Sequence, residues 1–240
     1  MHGTRPPKPP ARAITIRLAR DPNDLMTVTA IRSAVYLAEQ DCPIEEEFDG
    51  NDFCAAHFLG YIGGEPAGCL RVRFFGEFAK IERLAVRHQF RRTRVSFKLV
   101  QAAVDYIKRK GFRKIYGLAQ DRLVNFWAHF GGRPLEGGRK VTFSDFSYTE
   151  MVFDIEPGPD AITLHSDPYV IIRPEGDWDR PGVLDFSAER EVTSPLRDPS
   201  CSMTTPTKSS GTSTVRCSTG SISLPSTRLV TISGLLTMSS

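Results

Sequence analysis

Apolar and polar residues alternate with two different spacings along the first half of the chain. Residues 13–19 alternate at every position, which predicts a first strand with one apolar face. Residues 21–24 carry an Asp-Pro-Asn-Asp helix start signal, and apolar side chains then recur at helical spacing to about Gln40. Residues 57–62 and 67–74 are two apolar runs around a two-glycine turn, the pattern of a β-hairpin. The first half therefore predicts a strand, a helix and a hairpin in that order.

The middle of the chain continues with a strand, a helix and a strand. A further strand is predicted over 78–86, an amphipathic helix over 95–110 and a strand over 114–119. A strand–helix–strand passage of this length implies a parallel strand pair. A short helix over 121–130 and one long last strand over 141–155 complete the pattern. The predicted fold class is α/β (α+β), with a mixed, mostly antiparallel sheet flanked by helices.

Composition divides the chain into four segments. Residues 1–12 are basic and proline-rich and predict a disordered leader, whereas residues 13–156 hold the periodic elements and predict the folded domain. Residues 157–190 contain several prolines and a strand-like run at 169–172, and predict an extended arm that wraps the domain. Residues 191–240 are rich in Ser and Thr and contain no aromatic residue. They predict a disordered tail, because such a segment buries too little apolar area to fold.

Charge and cysteine content narrow the class of protein. The formal net charge of +3 suits an anionic cofactor and falls short of the surplus typical of nucleic-acid-binding proteins. The 5 cysteines show no Cys-x-x-Cys or Cys/His ligand spacing, so we expect free thiols in a reducing cytoplasm and no metal site. The chain has no apolar run near the ~18 residues that a membrane span needs. The leader also lacks the apolar core of a secretory signal, and we therefore expect a cytoplasmic protein.

A basic turn joins the strand 78–86 to the helix that follows it. This turn, residues 87–94, carries four arginines and a histidine. A helix N-terminus has backbone N–H groups without intrahelical partners and a partial positive charge, so it binds anions. The turn can therefore hold a pyrophosphate, and the alternative interpretation is a solvated basic turn without a ligand.

The sequence from 84 to 96 resembles the acyl-CoA-binding motif of the GNAT acetyltransferase superfamily. The family pattern is a strand ending in a Leu-x-Val-like sequence, then Arg/Gln-x-x-Gly-x-Gly/Ala at the start of a helix. Here Leu84-Ala85-Val86 precedes Arg91-Arg92-Thr93-Arg94-Val95-Ser96, with Arg94 at the glycine position. The resemblance implies acetyl-CoA or another acyl-CoA as co-substrate. The cofactor-binding residues it implies are Leu84, Ala85, Val86, Arg91, Arg92, Thr93, Arg94, Val95, Ser96, Phe126 and Trp127.

Three further stretches carry the same resemblance. Residues 39–52 are similar to the Glu-Gln-x-Cys-Pro…Glu-x-Asp-Gly-x-Asp stretch of a bacterial GNAT subgroup, and residues 144–151 are similar to its closing acidic–polar segment. Phe126 and Gly131 match a Phe-Tyr-x-x-x-Gly-Phe pattern, in which Trp127 replaces the tyrosine. The resemblance covers about residues 14–155. It implies a sheet splayed between the strands 78–86 and 114–120.

The resemblance also implies the chemistry of an N-acetyltransferase. Backbone N–H groups of Leu84 to Val86 would polarise the acyl carbonyl, and Glu82 is the candidate general base because period 2 places it on the same strand face as Leu84 and Val86. The alternative is that Glu82 pairs with a neighbouring arginine. An indole N–H is not a usable acid at neutral pH, so Tyr148 is the candidate proton donor in place of Trp127.

The acceptor is expected to be a small-molecule or protein amine, because an acidic loop over residues 45–52 could attract a cationic amine. A solvated acidic loop is the alternative. Two other function classes stay open: an acyl-CoA-binding sensor without turnover, and a nucleic-acid binder that uses residues 87–98. No motif supports nucleic-acid binding, and homodimerisation is left open.

Overall fold

The structure is a computed structural model that describes residues 13–193, 214–217 and 220–223 of the 240-residue chain. The chain divides into two compact units, residues 1–181 and 182–240. The first unit holds every element discussed below as part of the candidate site. The predicted leader, residues 1–12, lies outside the described residues, as does most of the predicted tail.

The first unit contains five helices and eight strands among the described residues. The helices are α1 (Pro22–Arg32), α2 (Ile44–Glu47), α3 (Val95–Arg109), α4 (Val124–Ala128) and α5 (Pro168–Ile172). The strands are β1 (Ile14–Leu18), β2 (Ala56–Ile62), β3 (Glu65–Phe74), β4 (Ala79–Val86), β5 (Lys114–Gln120), β6 (Arg133–Pro134), β7 (Lys140–Phe143) and β8 (Phe146–Asp154). A π-helical segment, Ser33–Leu37, continues α1 to nearly the predicted end of that helix.

The strands form one open sheet in the order β1-β2-β3-β4-β5-β8-β6, with β7 paired to β8. All neighbours are antiparallel except β4 and β5, which are parallel. The parallel pair holds register only from Ala79 to Ile81 on β4, and the two strands separate beyond that point. These observations confirm the predicted mixed, mostly antiparallel and splayed sheet.

β4 carries a β-bulge close to the point where it leaves β5. Arg71 of β3 pairs with Glu82, but Cys69 pairs with Ala85, so β4 holds one residue more than β3 over this interval. Arg83, inside the bulge, has a positive φ of 54°. The extra residue reverses the side-chain alternation, so Ile81 packs in the core on the α3 side and Ala85 in the core on the α1 side.

The bulge makes one sequence prediction wrong. Period 2 places Glu82, Leu84 and Val86 on one strand face, but Leu84 and Val86 pack on the α3 side. Glu82 instead pairs across the strands with Arg71, which lies two residues from Cys69 on the α1 side. A bulge of this kind gives no signal in a pattern of apolar residues, since the count of residues on each strand is unknown before the strands are paired.

Two apolar cores lie on opposite faces of the sheet. The larger one packs α3 onto β2, β3 and β4, and the smaller one packs α1 onto the other face. Gly60 of β2 allows the first turn of α3 to approach closely, because a Cβ at this position would lie 2.7 Å from Cγ2 of Val95. The N-terminus of α3 is thereby fixed against the sheet beside the bulge.

Two predicted strands are wrong in detail. The single strand 141–155 is a hairpin of β7 and β8, because Ser144 and Asp145 both adopt positive φ, 45° and 61°, and reverse the chain in two residues. The strand-like run 169–172 belongs to helix α5. Its start is set by Asp167, whose side chain accepts a hydrogen bond from the backbone N–H of Tyr169, and by the proline at its first position.

The segment after β8 packs along α3. Trp178 stacks on Tyr106 with ring centroids 5.2 Å apart, and Glu175 accepts a hydrogen bond from Nζ of Lys110 at 2.6 Å. The N–H of Ile162 donates to the carbonyl of Arg109 at 2.8 Å. Residues 155–181 therefore cover the C-terminal half of α3, while the predicted segment boundary at residue 190 stays a prediction.

The second unit contains a single-turn helix, Val183–Phe186, and two short antiparallel strands, β9 (Thr214–Cys217) and β10 (Gly220–Ser223). The remainder of the predicted tail from residue 194 lies outside the described residues, and its disorder stays a prediction. Among the helices that the structure describes, none is long and apolar enough to cross a membrane.

Candidate active site

A cavity of about 320 Å³ occupies the gap where β4 and β5 separate. Its walls come from the π-helical segment that continues α1, the bulge of β4, the N-terminal turn of α3, the end of β5, α4 and the β7–β8 hairpin. The lining residues are Val35, Tyr36, Gln40, Lys80, Ile81, Glu82, Arg83, Leu84, Val86, Arg91, Ser96, Leu118, Gln120, Arg122, Leu123, Phe126, Trp127, Phe143 and Tyr148.

The cavity brings together most of the residues that the sequence singles out. Those that line it are Glu82, Leu84, Val86, Arg91, Ser96, Phe126, Trp127 and Tyr148. Ala85 and Val95 are buried in the two apolar cores instead. Arg92 and Arg94 are exposed on the basic turn, and Thr93 is half-buried there. The residues of the acyl-CoA-binding motif are therefore divided between the cavity, the apolar cores and the surface.

The basic turn separates its arginines into two kinds. Nε of Arg91 donates to the carbonyl of Val86 at 3.2 Å, and its guanidinium pairs with Glu39. Arg92 and Arg94 have no ion pair or hydrogen bond from their side chains within residues 13–193. Arg94, at the glycine position of the motif, has φ −89°, a conformation open to any residue. A glycine is therefore not required there by the backbone conformation of this turn.

Thr93 shapes the start of α3. Its hydroxyl donates to the carbonyl of Phe90 at 2.6 Å and accepts from the N–H of Val95 at 3.4 Å. The first intrahelical bond of this turn is donated by Lys98 to the carbonyl of Arg94. The N–H groups just before Lys98 have no intrahelical acceptor, which is the arrangement that binds anions at helix N-termini.

Tyr36 fixes the backbone of the bulge. Its hydroxyl donates to the carbonyl of Leu84 at 2.9 Å, and burial raises the pKa of this phenol well above its usual range. The phenol therefore remains a neutral donor at physiological pH. Sequence reasoning did not single out Tyr36, since it is one of several large residues on a predicted amphipathic helix.

Glu82 is held by two cations. Nε of Arg71 donates to its carboxylate at 2.9 Å, and Nζ of Lys80 lies 2.6 Å from the second oxygen. Only 9% of the side chain is exposed. Arg71 and Lys80 therefore orient the Glu82 carboxylate at the edge of the cavity. The pairing with a neighbouring arginine, which was the alternative interpretation of Glu82, is present in the structure.

The acidic loop is paired with arginines inside the protein. Arg32 and Arg71 are both fully buried; Arg32 pairs with Glu47 and Asp52, and Arg71 pairs with Asp49 and Asp52. Asp49 and Asp52 accept from Nη1 of Arg71 at 2.8 Å each. These carboxylates are therefore occupied by the protein's own cations.

The pairing with buried arginines also shifts the pKa values of two loop carboxylates, Asp49 and Asp52. Burial raises the pKa of Asp49 and of Asp52, but the hydrogen bonds from Arg71 and the charges of the surrounding arginines together outweigh it and hold both pKa values below their usual range. Burial lowers the pKa of His57, whose Nε2 lies 2.9 Å from the carbonyl of Asp52. His57 is therefore neutral and structural.

One sequence signal could have revealed this network. Arg32 lies on the same helical stripe as Val28, Ile31 and Val35, all three of which are buried. A long cation in an apolar stripe must find a buried anion, so the acidic loop that follows in the chain was the natural partner.

The far wall of the cavity is aromatic. Tyr148 stacks on Phe143 with centroids 3.9 Å apart, and its hydroxyl accepts from Nε2 of Gln120 at 3.3 Å. Burial raises the pKa of Tyr148. Trp127 is nearly buried between Phe126 and Phe153. Among the residues that the structure describes, no group of three or more His, Cys, Asp or Glu side chains is arranged to hold a metal ion.

Comparison with known proteins agrees with this geometry. The model of the acetyltransferase (GNAT) family matches residues 25–131. A Bacillus subtilis (strain 168) protein named "putative acetyltransferase" is 33% identical over 113 residues, which cover 46% of this chain and 77% of the relative. The chain therefore belongs to the GNAT acetyltransferase family, and this membership implies acyl-CoA-dependent acyltransferase activity.

Solved structures show the same fold. An N-acetyltransferase from Lactobacillus plantarum has a TM-score of 0.55 at 20% identity, over 59% of this chain and 98% of that protein. Escherichia coli ElaA has a TM-score of 0.54 at 22% identity, over 59% of this chain and 100% of that protein. At these identities the similarity shows the fold alone.

Proposed function

We propose that the protein is an N-acyltransferase that moves an acyl group, most simply acetyl, from acyl-CoA to an amine by direct attack. One observation carries the proposal: the cavity lies in the gap between β4 and β5, with the bulge on one side and the N-terminus of α3 beside it. In such a gap an amine and a thioester can be aligned by binding alone, which supplies much of the rate enhancement of a two-substrate reaction.

The basic turn is the proposed pyrophosphate site of the co-substrate. The N–H groups at the start of α3 that lack an intrahelical acceptor can donate to an anion. Arg92 and Arg94 add positive charges that no acidic side chain within residues 13–193 neutralises. Arg91 acts differently, because its bonds to Val86 and Glu39 hold the turn against the end of β4. Phe126 and Trp127 supply an apolar wall for the chain that leads to the thioester.

The reaction we propose forms a C–N bond and breaks a C–S bond. The amine proton passes to Glu82 through a water, and the departing thiolate takes a proton from Tyr148. A backbone N–H between Leu84 and Val86 stabilises the negative charge that develops on the acyl oxygen. Tyr36, bonded to the Leu84 carbonyl, keeps this backbone in place.

The test is an acetyl-CoA turnover screen against a library of amines, read as release of free thiol. We expect release with at least one acceptor and a roughly 10²-fold slower reaction for Glu82→Gln if Glu82 is the base. Glu45→Gln is the matched control, because Glu45 is exposed in the acidic loop and lies outside the cavity lining. Full activity of Glu82→Gln would remove Glu82 from the mechanism.

Trp127→Tyr tests the proton donor. If protonation of the leaving thiolate limits the rate, the tyrosine should raise turnover, and Tyr148→Phe should lower it. Unchanged turnover in both variants would mean that solvent supplies the proton.

A second candidate function is an acyl-CoA sensor without turnover. The observation that favours it is the occupation of Glu82 by Arg71 and Lys80, together with a tryptophan where the family pattern has tyrosine. A sensor should bind CoA in titration calorimetry, gain thermal stability with the ligand by mass action, and release no thiol with any amine.

We place the protein in the cytoplasm in this proposal. Cys42, Cys54 and Cys69 are free, which fits a reducing compartment. Fractionation of cells that express the native chain would test this placement.

A further inference from the structure

We propose that the acceptor is a small amine that carries a carboxylate, such as an amino acid, and that Arg122 binds this carboxylate at the cavity. This inference rests on the proposed acyl transfer and names the class of acceptor for the same site. It replaces the expectation from the sequence that an acidic loop draws in a cationic amine.

The first observation is the charge of the cavity lining. Among the described residues that line it, four are cationic, Lys80, Arg83, Arg91 and Arg122, and only Glu82 is acidic. Three of the cations have a carboxylate partner: Lys80 pairs with Glu82 at 2.6 Å, Arg83 with Glu47 at 3.1 Å, and Arg91 with Glu39. Arg122 has no carboxylate partner within residues 13–193, and its side chain is exposed.

The second observation is that four acids near the cavity, Glu47, Asp49, Asp52 and Glu82, are already paired with cations. The buried network joins four cations to four carboxylates: Arg32, Arg71, Arg83 and Lys80 with Glu47, Asp49, Asp52 and Glu82. This network carries no net negative charge that could attract a cationic acceptor. A polyamine would therefore meet a cationic cavity with no free anion, whereas a carboxylate would meet a free guanidinium.

The third observation is the position of Arg122. It is the second residue after β5, and it lines the cavity together with Arg83 of β4. Tyr148 lines the same cavity as these two cations. The Tyr148–Phe143 stack forms an apolar wall beside them.

These features define what the acceptor end of the cavity recognises. A planar guanidinium matches a carboxylate with two parallel hydrogen bonds. The aromatic wall favours an acceptor whose remainder is apolar. An amino acid with an apolar side chain satisfies both features and has its amine next to the carboxylate that Arg122 would hold.

The decisive experiment compares each amino acid with its own amide. Glycine, leucine and phenylalanine are assayed with acetyl-CoA beside glycinamide, leucinamide and phenylalaninamide, across a pH range that corrects for the fraction of unprotonated amine. We expect kcat/KM to be at least ~10-fold higher for the carboxylates, as expected for a hydrogen bond to a charged group. Equal rates for acids and amides, or a preference for the amides, would overturn the inference while leaving acyl transfer intact. A preference for spermidine, assayed in the same way, would do the same.

Variants assign the preference to a residue. Arg122→Gln should lower kcat/KM by ~10-fold or more for the amino acid and leave its amide unchanged, and Arg122→Lys should restore part of the loss. Arg113→Gln is the control, since Arg113 is exposed, forms an ion pair with Glu156 and does not line the cavity. Reduced CoA affinity in Arg122→Gln with an unchanged preference for the carboxylate would place Arg122 in the co-substrate site and overturn the inference.

Binding keeps the inference testable if no amine is turned over. Calorimetric titration of phenylalanine and of phenylalaninamide into the protein saturated with CoA separates acceptor recognition from chemistry. Tighter binding of phenylalanine that Arg122→Gln abolishes would support the carboxylate site even if acyl transfer fails. Binding of neither compound, or equal binding of both, would overturn it.

Discussion

The acidic loop, residues 45–52, and the basic turn, residues 87–94, have the same kind of charge pattern but different structural roles. Both are short runs of like charge between predicted elements. Three carboxylates of the loop pair with buried arginines of α1 and β3, so these acids hold the loop against the protein. Two arginines of the turn stay exposed and unpaired within residues 13–193, so the turn is free to bind an anion. The comparison teaches that a charge run becomes structural when the fold places opposite charges beside it.

The largest effect on stability should come from removing a central cation of the network. Arg71→Met leaves Asp49, Asp52 and Glu82 without their shared partner, and loss of one side of a buried ion pair costs about 3–5 kcal/mol. Urea unfolding would measure the loss. Arg73→Met is the matched control two residues along β3, where the contact to Glu82 is 4.0 Å, and it should cost less than ~1 kcal/mol. Equal losses in the two variants would contradict the structural role of the loop.

Acid should weaken the ion pairs that Asp49 and Asp52 form with Arg71, because it protonates these two carboxylates. The pKa values of Asp49 and Asp52 are lowered in the folded protein, so their stabilisation is complete above the unfolded value of about 3.9 and is lost as pH falls through the folded values. When the free energy of unfolding is measured from pH 6 downward, it should therefore decrease once the pH is lower than about 4. In Arg71→Met the same titration should be shallower, and an identical slope would show that other groups control acid unfolding.

A smaller effect is expected where the sheet positions the basic turn. Gly60→Ala would force Val95 at the start of α3 to move, because the new Cβ would lie 2.7 Å from its Cγ2. Overpacking of this kind costs about 1–3 kcal/mol, and CoA affinity should fall with it. Gly76→Ala is the control, since a Cβ there has no atom within 4 Å. Thermal unfolding and calorimetry on both variants measure the two effects.

The smallest effect on stability should come from the exposed arginines of the turn. Arg92→Ala combined with Arg94→Ala should change the free energy of unfolding by less than ~0.5 kcal/mol, since neither side chain has a partner within residues 13–193. CoA affinity should nevertheless fall by ~10-fold or more, because charge-assisted contacts to phosphate are lost. Calorimetry that shows unchanged CoA affinity would mean that the co-substrate binds elsewhere.

Much of the fold was accessible from local pattern. The alternation of residues 13–19 and the two-glycine turn gave β1 and the β2–β3 hairpin, and Asp21 is the observed cap of α1. The apolar stripe from Val95 gave α3. The β7–β8 hairpin was missed because neither Ser144 nor Asp145 is a glycine, although both adopt positive φ.

The sequence by itself determined the family and most of the order of the elements, because these depend on spacing along the chain, and it predicted an anion site at the basic turn. Only the tertiary structure decided which charges are free. Arg32 and Arg71 meet the acidic loop through strand pairing and helix packing, and these contacts are not encoded at any fixed sequence spacing. The bulge at Arg83 was decided in the same way, since an extra residue in β4 exists only relative to β3. It turns Glu82 away from Leu84 and sets the geometry of the cavity.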